Sequence, residues 1–293
     1  MILVFGGAGQ LGCALVAAAR GKTPLIALSR QEVDITDPKA VARAVEHWRP
    51  QFVVNAAAYN QVDKAEREPD RADAVNAKGP RVIAAACAAA QIPMLHVSTD
   101  FVFDGGKNSP YVEDDWVAPI NAYGRSKAAG EAAVRGTWRQ HVILRTAWLF
   151  SGHGRNFLTT VLAMASSRNQ MRFVADEYGS PTAADDLAHA ILVVGRSIAN
   201  GAAPWGTYHV AGAGEASRWE MANFIVGAQS HTTGRAPIIE KITAAEFASD
   251  ARRPANSVLD SARFAAVFDY RPGDWRAAAE RAVIESLGMR IAV

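Results

Sequence analysis

The chain opens Ile2-Leu3-Val4-Phe5-Gly6-Gly7-Ala8-Gly9-Gln10-Leu11-Gly12 after its first methionine, and this stretch decides the fold. Four consecutive apolar residues read as a short strand buried on both faces. Glycines follow at once in the spacing Gly6-x-x-Gly9-x-x-Gly12, and the run Leu11–Arg20 behind them is rich in helix formers. Each glycine has a physical task. Gly6 permits a tight exit from the strand, Gly9 lets backbone amides approach a pyrophosphate, and Gly12 lets the helix pack on the sheet. The helix start then offers its partial positive charge to phosphate. Strand, glycine loop and helix in this order point to dinucleotide binding by Gly6, Gly9, Gln10, Leu11 and Gly12.

The same alternation continues outward. Leu25–Leu28, Phe52–Val54, Met94–Val97 and Val142–Leu144 read as further buried strands, separated by the helical patterns Pro38–Trp48, Gly79–Ala90 and Ser126–Arg135. This repetition implies a parallel sheet with right-handed crossovers, an α/β fold of the Rossmann-type, doubly wound kind. The second half is less regular, with loops such as Tyr178-Gly179-Ser180-Pro181 between helical stretches. We expect a dinucleotide-binding domain over residues 1–147 and a smaller C-terminal substrate-binding lobe over 148–293. Segments near 156–165 and 183–212 are expected to return to the first domain. Such a lobe would lie beyond the carboxyl edge of the sheet, where ligands bind in this architecture.

Composition narrows the class. With 49% hydrophobic and 20% charged residues among 293 and a formal net charge of +2, nothing argues for nucleic-acid or membrane attraction. No apolar run reaches the length of a membrane span. The first strand begins without a basic leader, so the expected compartment is the cytoplasm. Cys13 and Cys87 lie in alanine-rich surroundings and read as small buried side chains, not as a disulfide or metal ligands. The histidines, His96, His153 and His209 among them, have no partner set for a triad or a metal site and read as structural.

Where the second strand ends, an enzyme selective for NAD often places a carboxylate for the ribose diol. Ser29 and Arg30 stand there instead, a hydroxyl and a guanidinium suited to the 2′-phosphate of NADPH, with NADH as the alternative. Asp34-Ile35 is a polar–apolar pair able to flank an adenine. Asn55-Ala56-Ala57-Ala58-Tyr59-Asn60 leaves the third strand with side chains small enough for backbone to lie against a cofactor. Plain packing accounts equally well for these last two. Tyr123 and Lys127, four residues apart, share a helix face. A free phenol titrates at about pH 10, and a neighbouring ammonium favours its phenolate. Tyr-x-x-x-Lys is therefore a tunable proton donor of the kind carbonyl reduction needs.

These motifs, joined by Val62-Asp63-Lys64-Ala65-Glu66, Ser98-Thr99-Asp100-Phe101-Val102-Phe103-Asp104-Gly105, Arg145-Thr146-Ala147-Trp148, Asp176-Glu177-Tyr178-Gly179-Ser180-Pro181-Thr182 and Arg253-Pro254-Ala255-Asn256-Ser257, resemble the extended short-chain dehydrogenase/reductases. Within that superfamily they are most similar to the dTDP-4-dehydrorhamnose reductase family. The resemblance implies NADPH-dependent reduction of the C4 ketone of dTDP-4-dehydro-L-rhamnose to dTDP-L-rhamnose. That is the last step in making a precursor of bacterial cell-surface polysaccharide such as lipopolysaccharide. It implies a catalytic trio of Thr99, hydrogen-bonding the C4 oxygen, Tyr123, protonating it, and Lys127, holding the nicotinamide ribose and lowering the pKa of Tyr123. Cofactor contacts fall on Gly9-Gln10-Leu11, Asp34-Ile35 and Ala58-Tyr59-Asn60, and substrate contacts on Thr99, Asp100 and Trp148. Tyr178 and Arg253 are matched to the nucleotide or its diphosphate.

The chemical step implied needs no metal. Some members are dimers bridged by magnesium through glutamates, but Cys13, Ala14 and Leu15 stand near one of those positions. A magnesium bridge and a homodimer both stay open. Phe101 also replaces the tyrosine usual after Ser-Thr-Asp. Two other readings remain at this level: a reductase or epimerase of another nucleotide sugar, and a non-catalytic nucleotide-binding subunit like that of methionine adenosyltransferase. An epimerase would retain NAD without net consumption, and a regulatory subunit would bind nucleotide without turnover.

Overall fold

The computed structural model describes residues 1–288, so the last five positions of the expected 148–293 lobe lie outside the described residues. Five early strands, β1 (Ile2–Phe5), β2 (Leu25–Leu28), β3 (Phe52–Asn55), β4 (Met94–Thr99) and β5 (His141–Thr146), join Gly206–His209 in one sheet. All its pairings are parallel, and the spatial order is Gly206–His209, β5, β4, β3, β1, β2. The chain winds from β1 to β2 in one direction and from β3 to the last strand in the other. The reversal opens a crevice at the carboxyl ends of β1 and β3, where the Gly6–Gly12 loop and the Ala56–Asn60 segment emerge. β1, β3 and β5 are buried along their length, as their apolar runs require. β2 is largely half-buried, against the sequence expectation, because it is the edge strand and lacks a neighbour on one side.

Helices Gln10–Ala19 and Ala184–Ala199 cover one face of the sheet, with Phe264 and Phe268 packed beside them. Helices Pro38–Trp48 and Gly79–Ala90, with Val134 and Trp138, cover the other. A separate core joins helices Phe157–Ser167, Arg218–Thr233 and Trp275–Ser286. Segment 156–165 therefore does not return to the sheet as expected. Its Leu158, Val161 and Ala165 are buried among Met221, Ile225 and Trp275, because its apolar stripe matches those helices and both sheet faces are already covered. Cys13 is exposed on its helix, a further correction, while Cys87 is buried and its thiol is pushed up to about 12 by desolvation. Among the described residues no helix is long and apolar enough to cross a membrane.

Candidate active site

The glycine loop is built as tightly as its spacing predicts. Gly6 has φ +93°, and a Cβ there would meet the Ala57 backbone nitrogen at 2.6 Å. A Cβ on Gly12 would lie 2.5 Å from the carbonyl oxygens of Gly6 and Gly7, so only glycine lets the helix sit this close. Gly9 differs: its nearest contact would be Gly6 O at 3.3 Å, which leaves the space above it open to a ligand. Gly9 is also the N-cap of helix Gln10–Ala19, and no side chain caps that start. Its first amide donors are free for phosphate. The residues fit a dinucleotide.

A cleft lined by Gly6, Gly9, Arg30, Asp34, Ala58 and Tyr59 straddles the reversal of the sheet. The Arg30 guanidinium rests 3.5 Å from Asp34 and is otherwise exposed. Asp34 also accepts from Thr36 N and Oγ1 at 2.9 and 2.8 Å, and the Thr36 amide is the main cause holding its carboxyl below the usual range. Ser29 donates its amide to Glu32 at 2.7 Å. Asn76, absent from the sequence reading, locks the Ala58–Tyr59 wall: its side chain accepts from Tyr59 N at 2.8 Å and donates to Tyr59 O at 3.1 Å. Ile35 and Ala57 complete this cleft, and Asn60 lines both it and the catalytic cleft.

Thr99 ends β4, and Tyr123 lies in the first turn of helix Ala122–Thr137, which Asn121 caps by accepting from Gly124 N at 2.7 Å. What brings the two together is Gly124, whose added Cβ would stand 2.1 Å from Phe101 O in the turn after Thr99. The helix leans on that turn, and the Phe101 and Tyr123 rings meet edge to face at 6.0 Å. Thr99 Oγ1 donates to Asp100 Oδ1 at 2.8 Å and accepts from Phe101 N at 3.2 Å. Its single proton is thus committed to Asp100, and donation to a ligand oxygen requires the hydroxyl to turn.

Desolvation pushes the Tyr123 phenol well above its ordinary value; Thr99 pulls it down and the charge of Asp100 pushes it further up. Lys127 is not among those causes. Its Nζ donates instead to Val97 O at 2.7 Å, and burial lowers it to about 8 against the opposing pull of Glu131. The expected depression of Tyr123 by Lys127 does not show: burial of the phenol dominates its raised value, and the Lys127 ammonium donates to a strand carbonyl. Desolvation likewise raises Asp100 to about 6.

Leu11, Gln10 and Trp148 line the same cleft as Thr99, Asp100, Tyr123 and Lys127. Trp148 has φ +45°, a costly backbone for a bulky residue and one that tends to persist at functional sites. Gly179 makes room for its ring: a Cβ there would lie 2.4 Å from it. Asp100, Thr146 and Trp148 line this cleft, and their Oδ2, Oγ1 and Nε1 atoms are buried without a hydrogen-bond partner among the described residues. Two expected substrate residues do not line it. Tyr178 is exposed, and Arg253 is bound to Asp63 at 2.9 Å.

Two further features escaped the sequence reading. Arg145 clasps Glu131 with Nε and Nη2 at 2.9 and 2.8 Å, a fully buried forked pair one helical turn below Lys127. The stripe Tyr123-x-x-x-Lys127-x-x-x-Glu131 was its signal, since all three share a face. Arg218 lies in the cleft over the ring of Trp148. Among the described residues no three His, Cys, Asp or Glu side chains gather to hold a metal ion.

Comparison with known proteins shows the family. The family model described as RmlD substrate binding domain matches residues 1–287. A dTDP-4-dehydrorhamnose reductase of Sinorhizobium fredii is 39% identical over 284 residues, covering 96% of each chain. A crystal structure of a dTDP-4-dehydrorhamnose reductase from Clostridium acetobutylicum superposes with a TM-score of 0.90 at 33% identity, over 98% of this chain and 99% of that one. One from Bacillus anthracis, solved in complex with NADP, gives 0.89 at 32% identity over 97% and 98%. With a family model matched from end to end and relatives aligned over nearly their whole length, the chain belongs to the RmlD substrate binding domain family, that of the dTDP-4-dehydrorhamnose reductases.

Proposed function

We infer that the chain reduces the C4 ketone of dTDP-4-dehydro-L-rhamnose to dTDP-L-rhamnose at the expense of NADPH, in the cytoplasm. The observation that carries the assignment of roles is the meeting of Thr99, Tyr123 and Lys127 in one cleft beside an uncapped glycine-loop helix. Gly9, Gln10 and Leu11 would hold the pyrophosphate of NADPH, and Arg30 its 2′-phosphate. When bound, NADPH supplies the hydride.

As the carbonyl π bond breaks, the C4 oxygen gains negative charge. Tyr123 delivers its phenolic proton to that oxygen, completing the secondary alcohol. Its raised pKa does not impede this, because an alkoxide is a far stronger base than a phenolate. Thr99 turns from Asp100 to hydrogen-bond the same oxygen, and preplaced donors of this kind are worth most in a desolvated site. Lys127 keeps a positive charge beneath the reacting groups, held by Val97 O and Glu131.

The test is loss of NADPH absorbance with dTDP-4-dehydro-L-rhamnose. Tyr123→Phe should lower kcat by about 10²- to 10⁴-fold, the usual worth of a general acid, with NADPH affinity kept. Wild-type protein that binds NADPH but never oxidises it with this sugar would point to a regulatory subunit and defeat the reading.

A further inference from the structure

We propose that Arg218 grips the diphosphate of the nucleotide sugar, with the face of Trp148 as its platform; this rests on the substrate reading given above. The side chain lines the same cleft as Thr99, Asp100 and Tyr123. Its guanidinium carbon lies 3.5 Å from the Trp148 ring centroid and 4.8 Å from that of Phe157. Stacking on aromatic faces fixes the plane of the group, while its donors remain available around the edge.

Those donors have no taker in the protein. Among the described residues none accepts a hydrogen bond from Arg218, and no carboxylate comes within 4.0 Å. The other arginines at this depth are committed, Arg145 to Glu131 and Arg253 to Asp63. A half-buried cation with spare donors is costly unless a ligand answers it. Nor does helix stability select it, since Arg218 opens helix Arg218–Thr233, where the dipole disfavours positive charge.

Asp100 and Glu177 offset part of the charge on Arg218 from beyond ion-pair distance, while Arg253 adds to it. The diphosphate is the strongest anion in a nucleotide sugar, and a planar fork matches its oxygens in pairs. Arg253, matched to this task from sequence, is fastened to Asp63, which leaves Arg218 as the free fork.

The experiment compares binding of dTDP and thymidine to NADPH-loaded wild-type protein and Arg218→Gln. Loss of one charge-assisted pair should weaken dTDP by about 10- to 100-fold and leave thymidine and NADPH nearly unchanged. Equal weakening of dTDP and thymidine would make Arg218 a mere prop for Trp148 and overturn the proposal, as would unchanged dTDP affinity. A second arm needs no variant: phenylglyoxal labelling of the wild-type protein, read by mass spectrometry at Arg218, should be blocked by dTDP and not by thymidine. Labelling that dTDP leaves untouched overturns the proposal. If dTDP protects Arg218 while dTDP-4-dehydro-L-rhamnose is never reduced, the diphosphate site stands and the activity assignment falls.

Discussion

Burial takes Lys127 from the range of a free ammonium down to about 8, although Glu131 pulls the other way. If its cation serves the reaction, that cation is lost as pH rises through about 8, so kcat/KM should decline there. Lys127→Arg, whose guanidinium stays charged, should move the decline upward while lowering the maximum. A wild-type profile that stays flat well above pH 8 would show that the charge is not used. The shared face of Tyr123 and Lys127 was legible from spacing, and the family resemblance gave the pair its catalytic reading. The state of each side chain was not legible, because spacing puts two groups on one face but does not say which neighbour each will bond. Val97 O, thirty residues away in sequence, takes the Lys127 donor. Arg218 was equally hidden: nothing around it in sequence announces that its partner is the ring of Trp148.

Helix Ala122–Thr137 shows how one element sets the chemistry. The helical pattern read from composition ran over Ser126–Arg135, while the spacing of Tyr123 and Lys127 placed both on a helix face. The helix starts four residues earlier because Asn121 caps it and Glu66 accepts from Ala122 N at 2.7 Å. Gly124 serves closeness, not flexibility. Gly124→Ala should therefore displace Tyr123 from Thr99, costing about 10²-fold in kcat, with NADPH affinity near wild-type. Reduction at the wild-type rate by this variant would contradict the packing account. On the cofactor side, Gly9→Val would fill the open cradle without a backbone clash as severe as at Gly12. Calorimetry should show NADPH binding weakened by at least about 10-fold and a thermal midpoint close to wild-type. Unimpaired NADPH binding would move the pyrophosphate elsewhere.

At the scale of the whole molecule, two cores are stitched together by polar contacts across the cleft. Asn121 donates to Arg252 O at 2.8 Å, Arg253 binds Asp63, and Ser151 donates to Gln10 at 3.0 Å. The sheet core also encloses histidines that must stay neutral. His209 is lowered to about 3 by desolvation and then by Arg145, which its Nε2 faces at 3.4 Å; its Nδ1 donates to Tyr111 O at 3.0 Å and its amide to Glu113. Burial lowers His96 well below its ordinary value too. Both take up protons in the unfolded chain near pH 6.5 while the folded chain resists, so their contribution is complete above that pH and lost as pH falls. Asp100, raised to about 6, opposes this by one proton. The unfolding midpoint should fall between about pH 7 and 6, and His209→Gln should flatten the slope. Parallel profiles for the two proteins would refute the assignment.

The sequence by itself determined the doubly wound sheet, the glycine loop and the shared face of Tyr123 and Lys127, because those rest on local periodicity and on spacings within single elements, whereas Thr99 entered only through the family resemblance. It misplaced segment 156–165, whose apolar stripe suits either core equally well until the three-dimensional partners are known. Only the tertiary structure decided that Lys127 serves a strand carbonyl, that Glu131 and Arg145 pair beneath it, and that Arg218 stands free above Trp148. These depend on desolvation and on contacts between residues far apart in the chain, which no local pattern encodes.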